Sequence, residues 1–176
     1  MKKGLIQVYC GNGKGKTTAA IGQGIRATGH GYKVIMIQFL KGRATGELET
    51  LKRLEPEFKV FKFEKQTKFI FEMDEEQKKD LQSDIKNALN FAKKVLDTRE
   101  CDVLILDEIL GVVENELLSE EDLITIINNK SEHIELILTG RVLPESIKPL
   151  VDYISTVEET AHPFYKGVAA RKGIEY

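Results

Sequence analysis

A glycine-rich segment near the start of the chain constrains its fold more than any other feature. The segment is Cys10-Gly11-Asn12-Gly13-Lys14-Gly15-Lys16-Thr17-Thr18, preceded by an apolar run at 5–9 and followed by a helix-compatible run at 19–26. A strand, a glycine-rich turn and a Gly-Lys-Thr sequence that opens a helix form the phosphate-binding P-loop. Glycine allows several backbone N–H groups to point at a polyphosphate, next to the positive end of the helix. A basic surface turn would not explain this order of elements.

Two side chains of this segment have defined tasks in a P-loop. Lys16 supplies a full positive charge to phosphate oxygens, and the Thr17 hydroxyl is an expected ligand of Mg²⁺. The strict pattern begins with glycine, and this chain has Cys10 in that place. Gly11, Gly13 and Gly15 nevertheless keep the loop flexible.

Composition narrows the classes of function. A chain of 176 residues predicts a single domain, residues 1–176, with a sizeable core. The formal net charge of −2 gives no overall positive field for nucleic acid. The first residues do not have the pattern expected of a secretory leader, and no apolar run reaches membrane-spanning length. Two distant cysteines without zinc-ligand spacing favour a reduced thiol state and a cytoplasmic location.

Short β-rich runs alternate with longer helical patterns along the chain. The apolar runs at 34–39, 103–106 and 134–139 are typical of buried strands, whereas 58–63 alternates like an edge strand and 151–157 is a further candidate. Together with the P-loop, this alternation predicts an α/β fold, a three-layer P-loop NTPase domain with a mostly parallel central sheet. Ligands of such folds bind at the carboxyl ends of the strands.

Capping patterns locate the helices between these strands. Asp74, with Gln77 three residues later, predicts a capping box at the start of an amphipathic helix of about 75–97. Ser119 is expected to cap a helix through Asn129, and Pro144 suits the first turn of a short helix. The apolar face of the long helix comprises Leu81, Ile85, Ala88, Leu89, Ala92 and Leu96. The loop at 41–46 is either a lid or an ordinary solvated loop.

Asp107 and Glu108 follow the apolar run at 103–106. Acidic residues at the end of a buried strand form the Walker B pattern, which holds Mg²⁺ directly or through water. A helix cap would explain such a pair about as often if the P-loop were absent. GTPases require D-x-x-G here, but Gly111 lies four residues after Asp107, so the sequence favours ATP over GTP.

The combined motifs resemble the P-loop family of ATP:corrinoid adenosyltransferases, the cob(I)alamin adenosyltransferase family with a RecA-like fold. The resemblance extends over nearly the whole chain. It rests on 11–18, 26–31, Gln38-Phe39-Leu40-Lys41-Gly42, Gly46-Glu47, Leu106-Asp107-Glu108, Thr139-Gly140-Arg141, Asp152, 162–164 and the terminal Gly173-Ile174-Glu175-Tyr176.

The resemblance implies transfer of the 5′-deoxyadenosyl group of ATP to the reduced cobalt of cob(I)alamin or a related corrinoid, with release of triphosphate. Reduced cobalt is the nucleophile, so the protein contributes positioning and charge stabilisation. The implied nucleotide-binding residues are Gly11, Asn12, Gly13, Lys14, Gly15, Lys16, Thr17, Thr18, Arg26, Gln38 and Arg141. Thr17, Asp107 and Glu108 would hold Mg²⁺ or Mn²⁺. A carboxylate partner would explain Arg141 equally well.

The family also displaces the lower ligand of the corrinoid with an aromatic pair, so that four-coordinate cobalt(II) is easier to reduce. The matching residues here are Phe69 and Phe71, for which core packing is the alternative. His162 is expected to be a turn residue rather than a cobalt ligand. The resemblance further implies a homodimer and a flavoprotein reductant, whereas charge and hydropathy predict no nucleic-acid or membrane partner. The alternatives are another P-loop kinase or ATPase, and an ATP-gated corrinoid-binding protein without turnover.

Overall fold

Apolar runs with side chains on both faces produce a sheet that is covered on both sides. The computed structural model describes residues 3–41, 45–64 and 70–175, with the side chain of Phe71 left outside that description. Within these ranges one sheet contains six strands: β1 (Ile6–Cys10), β2 (Val34–Gln38), β3 (Phe58–Lys62), β4 (Val103–Asp107), β5 (Glu135–Thr139) and β6 (Tyr153–Thr156). Their order is β3-β2-β4-β5-β1-β6, and every pairing is parallel. The predicted α/β class is confirmed, and the sheet is wholly parallel in the described part rather than mostly so.

Two helical layers cover the sheet. The helices are α1 (Lys16–Thr28), α2 (Gly46–Leu51), α3 (Glu75–Thr98), α4 (Ile109–Glu114) and α5 (Glu120–Asn128). Successive residues of β2 face opposite cores, since Ile35 packs with α3, α4 and α5 while Met36 packs with α1 and α2. The buried strands β2, β4 and β5 therefore need apolar residues at consecutive positions.

The predicted helix caps are confirmed. The Asp74 carboxylate accepts a hydrogen bond from the Gln77 N–H at 2.8 Å, and the Gln77 side chain accepts one from the Asp74 N–H at 3.2 Å. Ser119 caps α5 by accepting from the Asp122 N–H at 3.1 Å. The six predicted core residues of α3 are all buried. Strand β3 lies at the edge of the sheet, as its alternation predicts.

The helix predicted at Pro144 is wrong. Residues 145–147 form a turn, and a 3-10 helix follows at Lys148–Leu150. Pro149 lies at the start of that helix and has no N–H to donate, so an α-helix cannot extend through it from Pro144. The predicted loop at 41–46 ends at Gly46, where α2 begins, and its residues 42–44 lie outside the described ranges.

Charged side chains tie the amino ends of the central strands to the neighbouring main chain. Lys130 donates to the carbonyl oxygens of Gly4, Ser131 and Ile134 at 2.9, 3.1 and 2.9 Å. Glu135 accepts from the Leu5 N–H at 2.7 Å. In a similar way the Asp152 carboxylate accepts from the Ile6 N–H at 2.8 Å. No helix in the described ranges is long and apolar enough to span a membrane.

Candidate active site

The glycine-rich loop leaves β1 at the carboxyl edge of the sheet and ends at α1. Cys10 is the last residue of β1 and pairs in register with Thr156, so its extended backbone does not require glycine. Positive φ angles occur at Gly11 (102°) and Gly15 (117°), where a side chain would be strained. Gly15 is the N-cap of α1, so the positive end of this helix faces the loop.

Lys16 folds back over the loop. Its ammonium group donates to the Gly13 carbonyl at 2.8 Å. Burial lowers the pKa of Lys16, and the nearby Arg141 charge lowers it further, while Glu108 acts in the opposite direction. A phosphate bound next to Lys16 would oppose the effect of burial, because its negative charge stabilises the ammonium form of the side chain.

Asp107 is the fully buried acid of the site. It ends β4 in register with Gln38 of β2, so both side chains reach the same edge. One carboxylate oxygen accepts from the hydroxyl groups of Thr17 and Thr139, each at 2.8 Å. The other pairs with the Lys41 ammonium at 2.9 Å and accepts from the Gln38 amide at 3.4 Å. Four side chains thus hold one buried charge, as burial of an ion requires.

Glu108 lies beside Asp107 in a strained backbone conformation. Its φ of 63° is in the left-handed region, which is unfavourable for a residue other than glycine. Its N–H donates to the Thr139 hydroxyl at 2.8 Å, which keeps the conformation in place. Burial raises the pKa of the Glu108 carboxyl, and the Asp107 charge raises it further; Lys41, Lys16 and Arg141 act in the opposite direction.

The donor groups at this edge fit Mg²⁺. Thr17, Asp107 and Glu108 offer hard hydroxyl and carboxylate oxygens. Among the described residues no cluster of three or more His, Cys, Asp and Glu could form a protein-only metal site. Mg²⁺ bound by one or two carboxylates typically completes its coordination with phosphate oxygens and water. The set therefore suits a metal that arrives with a nucleotide.

A cavity of about 1280 Å³ opens above these residues. Its lining includes the P-loop residues with Glu108 and Arg141, and also the apolar side chains of Leu40, Ile70, Met73 and Leu81. Pockets for a single small ligand are typically ~300–1,000 Å³. The cavity therefore has room for a nucleotide together with part of a second, more apolar ligand.

The end of the chain forms part of the cavity wall. Gly173, Ile174 and Glu175 line it. The Glu175 carboxylate pairs with Arg171 at 2.9 Å and with Lys14 of the P-loop at 3.2 Å. The hydrogen bonds from Arg171 lower the pKa of Glu175 to about 2, with a smaller contribution from Lys14. The terminal segment is thereby attached to the phosphate-binding loop.

The structure brings most of the predicted site residues together. The cavity is lined by Gly13, Lys14, Gly15, Lys16, Thr17, Thr18, Glu108 and Arg141. Gln38 and Asp107 lie buried at the same sheet edge. Gly11 and Asn12 belong to the loop but do not line the cavity. No described carboxylate lies within ion-pair distance of Arg141.

Three predicted residues lie elsewhere or beyond the description. Arg26 is ten residues along α1 from Lys16, roughly 15 Å at the helical rise, and it contacts Gln23 at 3.4 Å. Phe69 lies outside the described residues. The backbone of Phe71 belongs to the 3-10 helix Ile70–Glu72 between cavity-lining residues, and its side chain is outside the description. His162 accepts from the Phe164 N–H at 3.1 Å, as a turn residue does.

Sequence reasoning assigned no role to Lys41 or Thr139, although both contact Asp107. Both belong to motifs quoted for the resemblance, and both follow or end a strand at the ligand edge. A strand-end position is the pattern that would have identified them.

Comparison with known proteins identifies the family to which this chain belongs. The family described as ATP:corrinoid adenosyltransferase BtuR/CobO/CobP matches residues 2–176. The chain belongs to this family. It is 35% identical over 176 residues to the corrinoid adenosyltransferase of Escherichia coli K12, covering 99% of this chain and 87% of that protein. It is 36% identical over 177 residues to the corrinoid adenosyltransferase CobA of Salmonella typhimurium LT2, with the same two coverages.

Solved structures support the fold alone. The KaiC-like protein PH0186 of Pyrococcus horikoshii matches with a TM-score of 0.56 at 15% identity, over 89% of this chain and 73% of that one. The flagellar accessory protein FlaH of Methanocaldococcus jannaschii matches with a TM-score of 0.56 at 18% identity, over 89% and 72%. The predicted family, RecA-like fold and enzyme class are confirmed: this is an ATP-dependent corrinoid adenosyltransferase.

Proposed function

We propose that the cavity binds ATP and a corrinoid side by side, and that the 5′-deoxyadenosyl group passes to the reduced cobalt. The electron pair of cobalt(I) forms the bond to C5′, the C5′–O bond breaks, and triphosphate leaves with that bond pair. The observation that carries the proposal is one cavity whose lining combines the P-loop with the apolar side chains of Leu40, Ile70, Met73 and Leu81. Such a lining suits a polyanionic substrate next to a second, large one.

The P-loop residues Gly11 to Thr18 would hold the triphosphate in this reaction. Negative charge increases on the triphosphate as the C5′–O bond breaks, and Lys16 at the positive end of α1 would stabilise it. Arg141 is close enough to influence the pKa of both Lys16 and Glu108, so its charge would add to the same field. Gln38 would act by holding Asp107. Arg26 does not line the cavity and has no part in this proposal.

Mg²⁺, or Mn²⁺ in its place, would be held by Thr17, Asp107 and Glu108 together with phosphate oxygens. The metal supplies neutralisation of the triphosphate and fixes its orientation. The protein contributes the buried carboxylate pair and the Thr17 hydroxyl at the start of α1. Burial raises the pKa of Glu108, and the charge of a bound metal ion would lower it, so metal binding would favour the ionised carboxylate.

Phe69 and Phe71 are proposed to act on the lower face of the corrinoid. The 3-10 helix that contains Phe71 begins at Ile70 and is followed by Met73, and both of these residues line the cavity. We expect Phe71→Ala to lose more activity with cob(II)alamin plus a reductant than with prereduced cob(I)alamin. Equal losses with both substrates would argue against ligand displacement.

A homodimer, a flavoprotein reductant and a cytoplasmic location complete the proposal. Edge strand β6 exposes Tyr153 and Ile154, which are 56% and 46% accessible and would suit a partner surface. Cys10 and Cys101 are both buried free thiols, in keeping with a reducing compartment. Sedimentation of the purified protein would test the oligomeric state.

An anaerobic assay with ATP, Mg²⁺ and chemically reduced cob(I)alamin tests the function. We expect light-sensitive adenosylcobalamin and triphosphate in equal amounts. Production of ADP, or binding of both substrates without a cobalt–carbon bond, would contradict the proposed reaction.

A further inference from the structure

Lys41 occupies an unusual position between two of the expected metal-binding groups. Its ammonium nitrogen lies 3.0 Å from the Thr17 hydroxyl oxygen and 2.9 Å from an oxygen of Asp107. The Thr17 hydroxyl donates its own proton to the other Asp107 oxygen, so its lone pairs are turned towards Lys41. The ammonium therefore takes the contacts that a divalent cation between Thr17 and Asp107 would take.

Burial explains why a cation is needed at this point. Asp107 is completely buried, and an ionised carboxylate without a positive partner is strongly unfavourable there. Thr17, Thr139 and Gln38 provide only neutral hydrogen bonds. Among the described residues Lys41 is the single cation in ion-pair contact with Asp107. It supplies the charge that balances this carboxylate when no metal is bound.

The same side chain has a route away from Asp107. Lys41 lines the cavity beside the P-loop, and its side chain is 22% accessible. It follows Leu40, whose φ of 54° turns the chain sharply at the end of β2. A long, flexible lysine can exchange a carboxylate for a phosphate oxygen without movement of the sheet.

We propose that the Lys41 ammonium group occupies the position of the metal ion in the free protein. It leaves that position when the metal arrives with ATP. In the free protein its ammonium group blocks the metal position and keeps Asp107 neutralised. When metal and nucleotide bind, the metal takes Thr17 and Asp107, and Lys41 turns to a phosphate oxygen of the nucleotide. Metal binding is thereby coupled to nucleotide binding, and Lys41 becomes a positioning residue for the triphosphate. The inference rests on the proposed metal site.

Binding of Mn²⁺ in the absence of nucleotide tests this role, measured by the loss of the free-ion electron paramagnetic resonance signal. Wild type, Lys41→Met and the matched control Lys14→Met are titrated without ATP and again with ATP. Lys14 also lines the cavity but pairs with Glu175 instead of Asp107. We expect Lys41→Met to bind Mn²⁺ at least about tenfold more tightly than wild type without ATP, a typical size for coupling between two sites. In the titration without ATP, Lys14→Met should match wild type, because Lys14 contacts Glu175 and not Asp107.

Two further variants keep the test informative. Lys41→Gln removes the charge but retains a donor towards Asp107, which covers the case in which Lys41→Met does not fold. The double variant Lys41→Met with Asp107→Asn should lose the gain in Mn²⁺ affinity, because the uncompensated carboxylate is gone. Mn²⁺ should also raise the melting temperature of Lys41→Met and Lys41→Gln, and leave that of nucleotide-free wild type unchanged.

The outcomes separate this inference from the metal site on which it rests. Equal Mn²⁺ affinity in wild type and both Lys41 variants, with ATP-dependent Mn²⁺ binding intact, would overturn the role of Lys41 alone. If none of the proteins binds Mn²⁺ with ATP beyond what ATP itself binds, both the metal site and the substitution by Lys41 would be overturned.

Discussion

The two ends of the parallel sheet carry similar charged residues that serve different purposes. At the amino end, Lys130, Glu135 and Asp152 make their contacts with groups of the protein itself, which are main-chain groups and, for Glu135, also the side-chain amide of Gln7. Burial lowers the pKa of Lys130, as it does for Lys16 at the other end. The amino-end lysine, however, donates to three carbonyl groups and does not line the cavity at the P-loop.

At the carboxyl end the corresponding groups face a cavity. Lys16 contacts one carbonyl, and Glu108 has a strained backbone and a raised pKa. The comparison teaches that a buried lysine next to carboxylates does not in itself indicate a site. The site is distinguished by charged groups, Lys16 and Glu108, whose charges are not fully balanced by other protein groups. These groups lie next to the amino end of α1.

The largest expected effect is on catalysis at the carboxyl end. We expect Lys16→Ala to reduce adenosylation by roughly 10²–10³-fold, the usual loss when one charge-stabilising donor is removed. The melting temperature should change little, because Lys16 makes one main-chain contact. Steady-state rates at saturating ATP would measure the loss; a retained rate would contradict the assigned role.

The next largest effect is on stability, at the amino end of the sheet, where we expect a loss of stability without a loss of rate. Lys130→Met should lower the free energy of unfolding by about 2 kcal/mol, since three carbonyl groups lose a charged donor. Urea denaturation checks the value. The rate per folded molecule should equal that of wild type, and a large loss of rate would blur the distinction between the two ends.

A glycine tests the space reserved for Glu108. A Cβ at Gly111 would lie 2.8 Å from a carboxylate oxygen of Glu108 and 3.3 Å from Leu40. We expect Gly111→Ala to displace this carboxylate and to raise the Mg²⁺ concentration for half-maximal rate several-fold. Gly22→Ala is the matched control, because nothing lies within 4 Å of its Cβ. It should raise stability by about 0.5–1 kcal/mol with unchanged metal dependence.

The smallest effect concerns stability and pH. The folded-state pKa of Glu108 is raised above 4.5, so the native protein holds this proton more tightly than the unfolded chain. Stability therefore falls as pH rises from 4.5 through the folded-state pKa. Glu108→Gln should melt higher than wild type at pH 7, and the difference should shrink on acidification. Glu135→Gln, which weakens the Leu5 contact, should melt lower. A lower melting temperature for Glu108→Gln at pH 7 would contradict the conclusion that an ionised Glu108 destabilises the folded protein.

The two ends also differ in how far their residues could be predicted from the sequence. The P-loop and the Asp107–Glu108 pair have local signatures, because strand, loop and helix follow one another in the chain. Contacts of Lys130 with Gly4, and of Asp152 with Ile6, join residues more than 100 positions apart and depend on strand register. No local sequence pattern predicts such contacts.

Other differences have similar causes. Helices α2 and α4 have six residues each, too few for a periodic pattern, and packing rather than propensity determines them. The contact of Lys41 with Asp107 depends on the reach of a side chain across neighbouring strands. Arg26 belongs to a motif of the family, but its position near the end of α1 separates it from the cavity.

Thermal unfolding with and without MgATP compares the two ends most directly. A ligand that binds only the folded state raises the melting temperature, by an amount that grows with the logarithm of the ligand concentration divided by Kd. For wild type and Lys130→Met we predict the same upward shift, because the amino end takes no part in binding. For Lys16→Ala we predict little or none. A full shift in Lys16→Ala, or loss of the shift in Lys130→Met, would contradict the account. The account holds that charged residues at the carboxyl end bind the nucleotide and those at the amino end stabilise the fold.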